Sequence, residues 1–398
     1  MAATEKGVWD LQDVRDKQLA SEWTYDAVDP GTMWSWGMNA APSSRGGWLG
    51  HNNTTDYSSP TQVGTDTTWM NVCFTGSSAI AAKVGNTLWT CGYNLYGGLG
   101  QNNTTSYSSP TQVGTDTTWG TQARQIAGSG NNTYQIMGAI KTDGTLWTWG
   151  RGTNGPLAHN NQTNYSSPRQ VPGTTWSKIA MASYHSGAIK TDGTLWAWGI
   201  NEGGELGQNN VIEYSSPVQV GTATDWSDIH LMSNNYGYGN IRALKTDGTL
   251  WNWGYGQFGA NGVNDNANYS SPMQIPGTWS SLPLNNGWSR SHRLQAAINT
   301  DGELFVWGGN STGSLGLSDN TYRSSPTQLP GSWESITTSQ GGVAIRTDGT
   351  LWAWGHNGYG TLGQNTTPNF ASPKQVGTDT DWMRVSAGEY SVTGSQES

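Results

Sequence analysis

Tryptophan alternates with other apolar or small residues in a five-residue segment, Leu-Trp-Ala-Trp-Gly at 195–199, which occurs in seven variants along the 398-residue chain. A period of two predicts a β-strand, and apolar residues on both faces predict a strand buried between two layers. The copies end 47 to 58 residues apart, which is typical of a repeat architecture. They end at Gly37, Gly92, Gly150, Gly199, Gly254, Gly308 and Gly355.

Further features recur with each copy and predict a four-stranded antiparallel unit. Thr-Asp-Gly precedes five of the copies, as at 142–144, and Asp-Gly between two apolar runs is a strong hairpin signal. A Ser-Ser-Pro or Ala-Ser-Pro triplet and another Trp follow every copy. In this interpretation, the strands of one unit are Pro-x-Gln-Val, Trp-x-x-Ile, x-Ala-Ile-Lys-Thr and Leu-Trp-x-Trp-Gly. Seven units predict an all-β fold, a seven-bladed β-propeller with four-stranded antiparallel blades that forms one domain over residues 29–398.

The two ends of the repeat region are incomplete in complementary ways. Residues 29–37 contain a Trp-Ser-Trp-Gly strand without the strands that precede it elsewhere, and residues 382–394 contain those missing strands. We therefore expect the N- and C-terminal strands to share one blade, whose early strands come from the C-terminus and whose final strand comes from the N-terminus. A shared blade closes the ring and leaves no open sheet edge.

The glycine-rich segment after each Trp-Gly resembles that of a known repeat family. Segments 198–207 (WGINEGGELG) and 354–363 (WGHNGYGTLG) are similar to the regulator-of-chromosome-condensation repeat, and a further copy that ends at Gly100 has Cys91 in place of the second Trp. The resemblance covers about residues 29–394 and implies a seven-bladed β-propeller. It implies little about function, because propellers carry many unrelated functions.

Charge and composition narrow the range of partners. The chain has 19 Lys and Arg against 28 Asp and Glu, a formal net charge of −9 and no basic run. Nucleic-acid binding through phosphate contacts is therefore not expected, nor is the chromatin binding that the resemblance to eukaryotic proteins would imply. No apolar run reaches the about 18 residues of a membrane-spanning helix, and no signal peptide is recognisable. We predict no membrane insertion.

The sequence lacks the residue patterns that carry catalysis or metal binding. It has no HExxH, GxxxxGK[ST] or GxSxG motif and no pair of Cys at zinc spacing, and its six His are scattered. The Asp of each Thr-Asp-Gly is expected to be a turn residue, and Cys73 and Cys91 are expected to be buried free thiols. We therefore expect no enzyme activity, no cofactor and no metal site.

The loops on the two rims of the predicted ring differ. One rim has short, similar turns, whereas the other has Gly- and Asn-rich loops that vary between copies. Three variable loops, 128–138, 233–240 and 285–294, mix aromatic residues with Asn, Gly and Ser, a composition typical of surfaces that bind proteins or sugars. The alternative is that these loops only plug the central channel. The candidate ligand-binding residues are Tyr134, Tyr236, Tyr238, Trp288, Arg290, His292, Arg293 and Trp48.

Residues 1–28 lie outside the repeats and are predicted to form an N-terminal docking segment. Asp10 is a candidate cap for a short helix, and residues 7–23 (GVWDLQDVRDKQLASEW) resemble short motifs of bacteriophage tail and fibre proteins. The alternative is that the segment caps the ring. The candidate docking residues are Trp9, Leu11, Val14, Leu19 and Trp23.

These features leave two functional hypotheses open. The first is a non-enzymatic structural or host-recognition component of a bacteriophage-like virion, located in its tail or a surface appendage. Residues 1–28 would bind other virion proteins, and the variable rim would bind a host surface glycan or protein. The second is a soluble protein-binding propeller that inhibits or scaffolds a partner protein.

Overall fold

A computed structural model of the protein describes residues 30–39, 46–130, 134–234, 237–284, 287–288 and 294–397, with the backbone alone at 287–288. These residues form 29 β-strands, which we number in chain order, and one 3₁₀ turn at Gln257–Gly259. The strands form seven antiparallel blades of four strands each, which we call strands a to d, and one additional two-residue strand. The first two strands are β1 (Gly31–Gly37) and β2 (Tyr57–Gln62).

Blades 1 to 3 follow one another along the chain. Blade 1 contains β3 (Trp69–Phe74), β4 (Ser78–Lys83), β5 (Thr87–Gly92) and β6 (Tyr107–Gln112). Blade 2 contains β7 (Ile126–Ser129), β8 (Ile136–Ile140), β9 (Leu146–Gly150) and β10 (Tyr165–Gln170). Blade 3 contains β11 (Trp176–Met181), β12 (His185–Lys190), β13 (Leu195–Gly199) and β14 (Tyr214–Gln219).

Blades 4 to 6 repeat this order. Blade 4 contains β15 (Trp226–Ser233), β16 (Gly239–Lys245), β17 (Leu250–Gly254) and β18 (Tyr269–Ile275). Blade 5 contains β19 (Trp279–Ser281), β21 (Leu294–Asn299), β22 (Leu304–Gly308) and β23 (Arg323–Leu329), and the short β20 (Gly287–Trp288) pairs in parallel with β15. Blade 6 contains β24 (Trp333–Thr338), β25 (Gly341–Arg346), β26 (Leu351–Gly355) and β27 (Phe370–Gln375).

Blade 7 closes the ring with strands from both ends of the chain. It contains β28 (Trp382–Ala387) and β29 (Ser391–Glu397), followed by β1 and β2. β29 pairs with β1 over seven residue pairs, from Gly31 opposite Glu397 to Gly37 opposite Ser391. The prediction of a shared closing blade is confirmed. The blade is divided two strands to two, and not with a single N-terminal strand as expected.

This difference arises because the predicted unit began one strand too early. It took the Ser-Ser-Pro-x-Gln strand as the first strand of a blade. The Ser-Ser-Pro-x-Gln strand is the last strand of its blade, since β14 pairs with β13, where Gln219 lies opposite Trp196. The loop after each Leu-Trp-x-Trp-Gly strand returns the chain to the same blade. The Ser-Ser-Pro-x-Gln strand then pairs with the edge of strand c that strand b does not occupy. The next blade then begins at the following Trp.

Indole rings fill the space within and between the blades. In blade 3, Trp176 of strand a lies near the two indoles of strand c, with ring centroids 6.2 Å from Trp196 and 6.3 Å from Trp198. Trp198 also reaches the preceding blade, where its Nε1 donates to Pro156 O at 2.8 Å. Blades 2, 4, 5, 6 and 7 make the same bond to the preceding blade at 2.9 to 3.1 Å. Each buried indole contributes about 4 to 6 kcal/mol of gross transfer free energy, so tryptophan supplies much of the core.

An ion pair crosses the central channel, which the a strands line. Arg124 of blade 2 contacts both carboxylate oxygens of Asp228 in blade 4, at 3.1 Å from Nε and 3.2 Å from Nη2. Its guanidinium also donates to Leu284 O at 2.9 Å and Pro283 O at 2.6 Å, both in blade 5. Residues 282–284 therefore lie against the channel-facing side of blade 2, and the plug alternative for loop 285–294 stays a prediction.

Candidate functional site

The antiparallel order of the strands gives the ring two rims with different connections. We call the face formed by the a–b and c–d connections the loop rim, and the face formed by the b–c turns and d–a connections the turn rim. The c–d loops are the longest connections in every blade. They comprise residues 38–56, 93–106, 151–164, 200–213, 255–268, 309–322 and 356–369.

A buried Asn holds the c–d loops in a fixed shape. In blade 1, Asn94 Nδ2 donates to Asn103 O at 3.1 Å and Thr105 O at 2.9 Å, and its Oδ1 accepts from Leu99 N at 2.8 Å. Asn201, Asn310 and Asn357 make corresponding bonds in blades 3, 5 and 6. Since these amides satisfy backbone groups inside the loop, the loop presents its remaining side chains in a defined arrangement.

The loop rim exposes most of the large hydrophobic side chains that reach the surface in the described part of the chain. Val211 and Ile212 in blade 3 are 61% and 59% exposed, and Tyr322 in blade 5 is 52% exposed. Six of the seven such side chains lie on c–d loops, and only Val84 lies on the turn rim. The six are Leu95, Val211, Ile212, Phe258, Tyr322 and Tyr359.

Tyr134, a predicted candidate, belongs to an aromatic cluster around a cation. The guanidinium carbon of Arg151 lies 3.8 Å from the ring centre of Tyr134 and 4.7 Å from that of Tyr96. The Tyr134 and Tyr184 rings are 4.5 Å apart, and burial raises the pKa of the Tyr184 phenol, which stays neutral. The cluster joins the loops of blades 1 to 3 and presents flat rings beside a positive charge.

Tyr238, a second predicted candidate, stacks on Tyr255, with ring centroids 4.5 Å apart and an angle of 11° between the planes. The buried carboxylate of Glu205 lies close to Tyr255, where it accepts from Gly203 N at 2.8 Å and Gly239 N at 3.4 Å. Burial raises the pKa of Glu205 to about 7. The loop rim therefore contains a carboxyl group that titrates near neutral pH.

Glu205 should make the stability of wild-type protein fall between about pH 4.5 and pH 7. Its folded-state pKa is raised to about 7 from an ordinary value of 4.5, so the folded state binds the proton more tightly over this range and loses that advantage as the pH rises. The expected contribution is up to about 3 kcal/mol. Urea unfolding at pH 4.5 and pH 8 should show a smaller decrease for Glu205→Gln than for wild type. Equal decreases in the two proteins would contradict this assignment.

Trp48 does not line the loop rim, and its prediction as a binding residue is wrong. Its side chain is fully buried, and it packs with Leu49, Phe74 and Cys91 while its indole donates to Met38 O. The reason lies in blade 1, where Cys91 occupies the position of the second Trp of strand c. Trp48 extends from the c–d loop of blade 7 into that region and supplies the indole that strand c lacks.

Several predicted residues lie outside what the structure describes. Tyr236, Arg290, His292 and Arg293 belong to this group, as do the docking candidates in residues 1–28. At Trp288 the backbone pairs with Ser233 of β15, and its side chain is not among the described groups. The structure therefore brings Tyr134 and Tyr238 to the loop rim, and the remaining assignments stay predictions.

Arg242, Cys73 and Cys91 are ionisable groups buried in the core. Arg242 is fully buried, donates to Ala296 O at 2.8 Å and lies 2.6 Å from His230 Nδ1, and burial lowers its pKa to about 9. Cys73 and Cys91 are buried free thiols, as predicted, and burial raises the pKa of Cys73 to about 11 and that of Cys91 to about 12. Among the described residues, no group of three or more His, Cys, Asp or Glu could hold a metal ion.

Sequence reasoning missed the exposed hydrophobic residues of the c–d loops because it concentrated on the a–b loops of unusual length. The sequence did contain a signal for the exposed pair Val211 and Ile212. The segment Asn-Asn-Val-Ile at 209–212 replaces the Asn-Asn-Thr-Thr found at 102–105, so two aliphatic side chains stand where blade 1 has hydroxyl groups. Arg151 gave no such signal, because the rings that it contacts come from two different blades.

The repeats define the class of this protein. Four segments match the model of the regulator of chromosome condensation (RCC1) repeat: residues 143–189, 192–231, 301–342 and 348–393. These matches and the seven blades identify the protein as an RCC1-like β-propeller, as the sequence resemblance predicted.

Individual relatives share parts of the sequence. The chain is 25% identical over 209 residues to the ultraviolet-B receptor UVR8 of Arabidopsis thaliana, and the match covers 52% of this chain and 46% of that protein. It is 32% identical over 95 residues to Protein RCC2 of Homo sapiens, which covers 24% and 18% of the two chains. The chain thus matches less than half the length of either relative.

Solved structures share the fold over nearly the whole chain. Prp20p of Saccharomyces cerevisiae superposes with a TM-score of 0.77 at 18% identity and covers 94% of this chain and 92% of its own. Human WBSCR16 superposes with a TM-score of 0.73 at 18% identity, with coverages of 92% and 99%. At this identity the likeness shows the fold alone. Prp20p itself has been studied for binding to Gsp1p and histones and solved in complex with Kap60.

These relatives give no support to the hypothesis of a virion component, its virion location or its host glycan. Within the described residues, no helix is long and apolar enough to cross a membrane.

Proposed function

We infer that this protein is a non-enzymatic propeller that binds a partner protein on its loop rim. One observation carries this proposal, namely that six of the seven described large hydrophobic side chains with high exposure lie on the c–d loops. Scattered exposed apolar residues need no explanation, but their concentration on one rim is typical of an interaction surface. This proposal corresponds to the second of the two hypotheses from the sequence.

The chemistry of the loop rim fits a protein partner. Aliphatic side chains such as Val211 and Ile212 supply apolar area, and the ring cluster around Arg151 supplies the aromatic and guanidinium groups that are enriched in protein interfaces. The loop that carries Val211 and Ile212 is fixed by the buried amide of Asn201, so ordering it on binding costs little entropy. The net charge of −9 disfavours nucleic acid as the partner.

The named relatives support the class of partner but not its identity. Prp20p, which shares the fold, binds proteins. Its partners are not transferred to this chain, because the two sequences are 18% identical. We keep the division into an N-terminal segment, 1–28, and a ring, 29–398, as part of the proposal, with the segment as a second place for a partner to dock.

A triple variant of the loop rim tests the proposal. Val211→Thr, Ile212→Thr and Tyr322→Ser introduce the residues that blade 1 has at the same loop positions, 104–106. Extracts of the source cells are passed over immobilised full-length protein, and retained proteins are quantified by mass spectrometry. We expect a partner that wild type retains to be depleted at least about tenfold by the triple variant, since loss of central apolar contacts commonly costs more than 1.4 kcal/mol.

Val84→Thr is the matched control, because Val84 is 53% exposed on the turn rim. It should retain the same partner as wild type. Equal retention by the triple variant, or loss of the partner from both variants, would show that the loop rim is not the binding surface.

A further inference from the structure

Five blades contain an internal cation held against two aromatic rings. A basic residue near the end of strand b lies opposite the Trp that begins strand a, and its charged group faces that indole and the first indole of strand c. Lys83 Nζ in blade 1 is 4.1 Å from the ring centre of Trp69 and 3.8 Å from that of Trp89. The five basic residues are Lys83, Lys141, Lys190, Lys245 and Arg346.

Acidic side chains complete three of these sites. Lys83 pairs with Asp66 at 2.6 Å and Lys245 pairs with Asp225 at 3.1 Å, and Lys141 contacts Asp116 in the same way. The acids belong to the d–a connections. Each lysine therefore links the connection that leads into its blade with the two aromatic rings of that blade. The repeated site is thus a cation–π pocket with a carboxylate on one side.

Blade 5 keeps the aromatic pair without the cation. Asn299 lies opposite Trp279 where the other blades have Lys or Arg, and Phe305 replaces the first Trp of strand c. The Trp279 and Phe305 rings remain close, with centroids 5.5 Å apart and planes at 82°. No cation of the described chain lies over this pair.

A groove of about 620 Å³ is open at this position between blades 4 and 5, and Trp279, Asn299 and Phe305 form part of its wall. Met273 and Val263 line it as well, which gives an apolar path of the kind that a long aliphatic side chain can follow. The corresponding groove in blade 2, of about 550 Å³, contains Lys141 itself.

A carboxylate also stands at the empty site. Glu303, the residue immediately before β22, replaces the Thr of the other copies. Its Oε2 accepts from Asn299 Nδ2 at 2.8 Å, and its Oε1 accepts from Gln328 Nε2 at 3.0 Å. Two neutral amides therefore orient this carboxylate, and no basic side chain of the described residues pairs with it.

We propose that the groove between blades 4 and 5 binds a lysine or arginine side chain of a partner protein, in the position that an internal cation occupies in five other blades. The Trp279–Phe305 pair, the Glu303 carboxylate held by two amides and the net charge of −9 all favour binding of a cation. Blade 7 differs, because Gln396, its residue at the same register, donates to Asp379 Oδ2 at 3.2 Å and takes the place of the cation. The groove includes Val263 of a c–d loop, but none of the three residues changed in the triple variant lines it, so the two tests have separate outcomes.

The test measures binding of a fluorescein-labelled peptide of alternating Gly and Lys to the full-length protein by fluorescence anisotropy and calorimetry. A peptide of alternating Gly and norleucine has the same aliphatic stem without the charge and should bind at least about tenfold more weakly. Asn299→Lys places an internal cation in the groove and should weaken binding of the Lys peptide by a similar factor. Thr54→Lys adds the same charge at an exposed position of the loop rim and should leave the affinity within about twofold, as only long-range screening changes.

A reciprocal variant tests the same idea by gain of a site. Lys141→Asn removes the internal cation of blade 2 and leaves Trp119, Trp147 and Asp116 around its groove. The stoichiometry of the Lys peptide should rise from one to two per chain. Thermal unfolding verifies that each variant is folded. Equal binding of the norleucine peptide, equal weakening by Asn299→Lys and Thr54→Lys, or an unchanged stoichiometry in Lys141→Asn would overturn the proposal.

Discussion

Replacement of Trp48 with alanine should lower the free energy of unfolding by about 3 to 5 kcal/mol, the usual cost of removing a large buried aromatic side chain. The indole is fully buried at the junction of blades 7 and 1, in contact with Phe74 and Cys91. Surrounding strands are fixed by their hydrogen bonds, so they cannot close the cavity. Denaturant unfolding of the variant and of wild type measures the loss.

A double replacement tests why Trp48 is there. At the junction of blades 1 and 2 the corresponding positions hold Gly98 and Trp149, and the indole of Trp149 donates to Gly98 O at 2.9 Å. Trp48→Gly together with Cys91→Trp restores that arrangement and should recover at least half of the stability that Trp48→Gly loses. Cys91→Trp alone should destabilise by overpacking. Losses that simply add in the double variant would mean that the two side chains do not share one space.

Deletion of residues 391–398 should remove most of the about 5 to 15 kcal/mol that stabilises a domain. The deletion takes away β29, which pairs with β28 on one side and with β1 on the other. Both neighbours would then expose unpaired backbone groups inside blade 7. Near-ultraviolet circular dichroism during heating should show a broad transition at much lower temperature than in wild type.

A synthetic peptide of residues 388–398 is the control for this deletion. When it is added in excess it should restore a cooperative transition, because it supplies the missing strand without a covalent link. A truncated chain that unfolds like the full one would show that the shared blade 7 does not hold the ring together.

The sequence predicted the fold well because each blade repeats the same local signals. The alternating Leu-Trp-x-Trp-Gly segment and the Asp-Gly turn each specify a strand or a hairpin without information from distant residues. The assignment of the Ser-Ser-Pro-x-Gln strand was wrong, because an antiparallel strand can pair with the strand before it or the one after it. Only tertiary structure decides between the two, and it places β14 beside β13.

The candidate site was less predictable, since its features depend on contacts between blades. Trp48 looked like a surface residue because it falls outside the two repeated sets of Trp, and its relation to Cys91 spans 43 residues. Arg124 reaches a carboxylate 104 residues away across the channel, a contact for which no spacing rule exists. Tyr134 and Tyr238 could be placed on the loop rim from loop composition alone, and their role in binding stays a prediction.

The bond from strand c to the preceding loop has an evolutionary consequence. In every blade the acceptor is a main-chain carbonyl, which receives an indole N–H in six blades and the Cys91 thiol in blade 1. The bond is therefore indifferent to the side chain at the acceptor position. The seven acceptors are all of different types: Trp48, Gly98, Pro156, Glu205, Ala260, Ser314 and Thr361. This buried position therefore differs between blades while strand c keeps its Trp, and Trp48 is the exception, because its indole packs where Cys91 replaces that Trp.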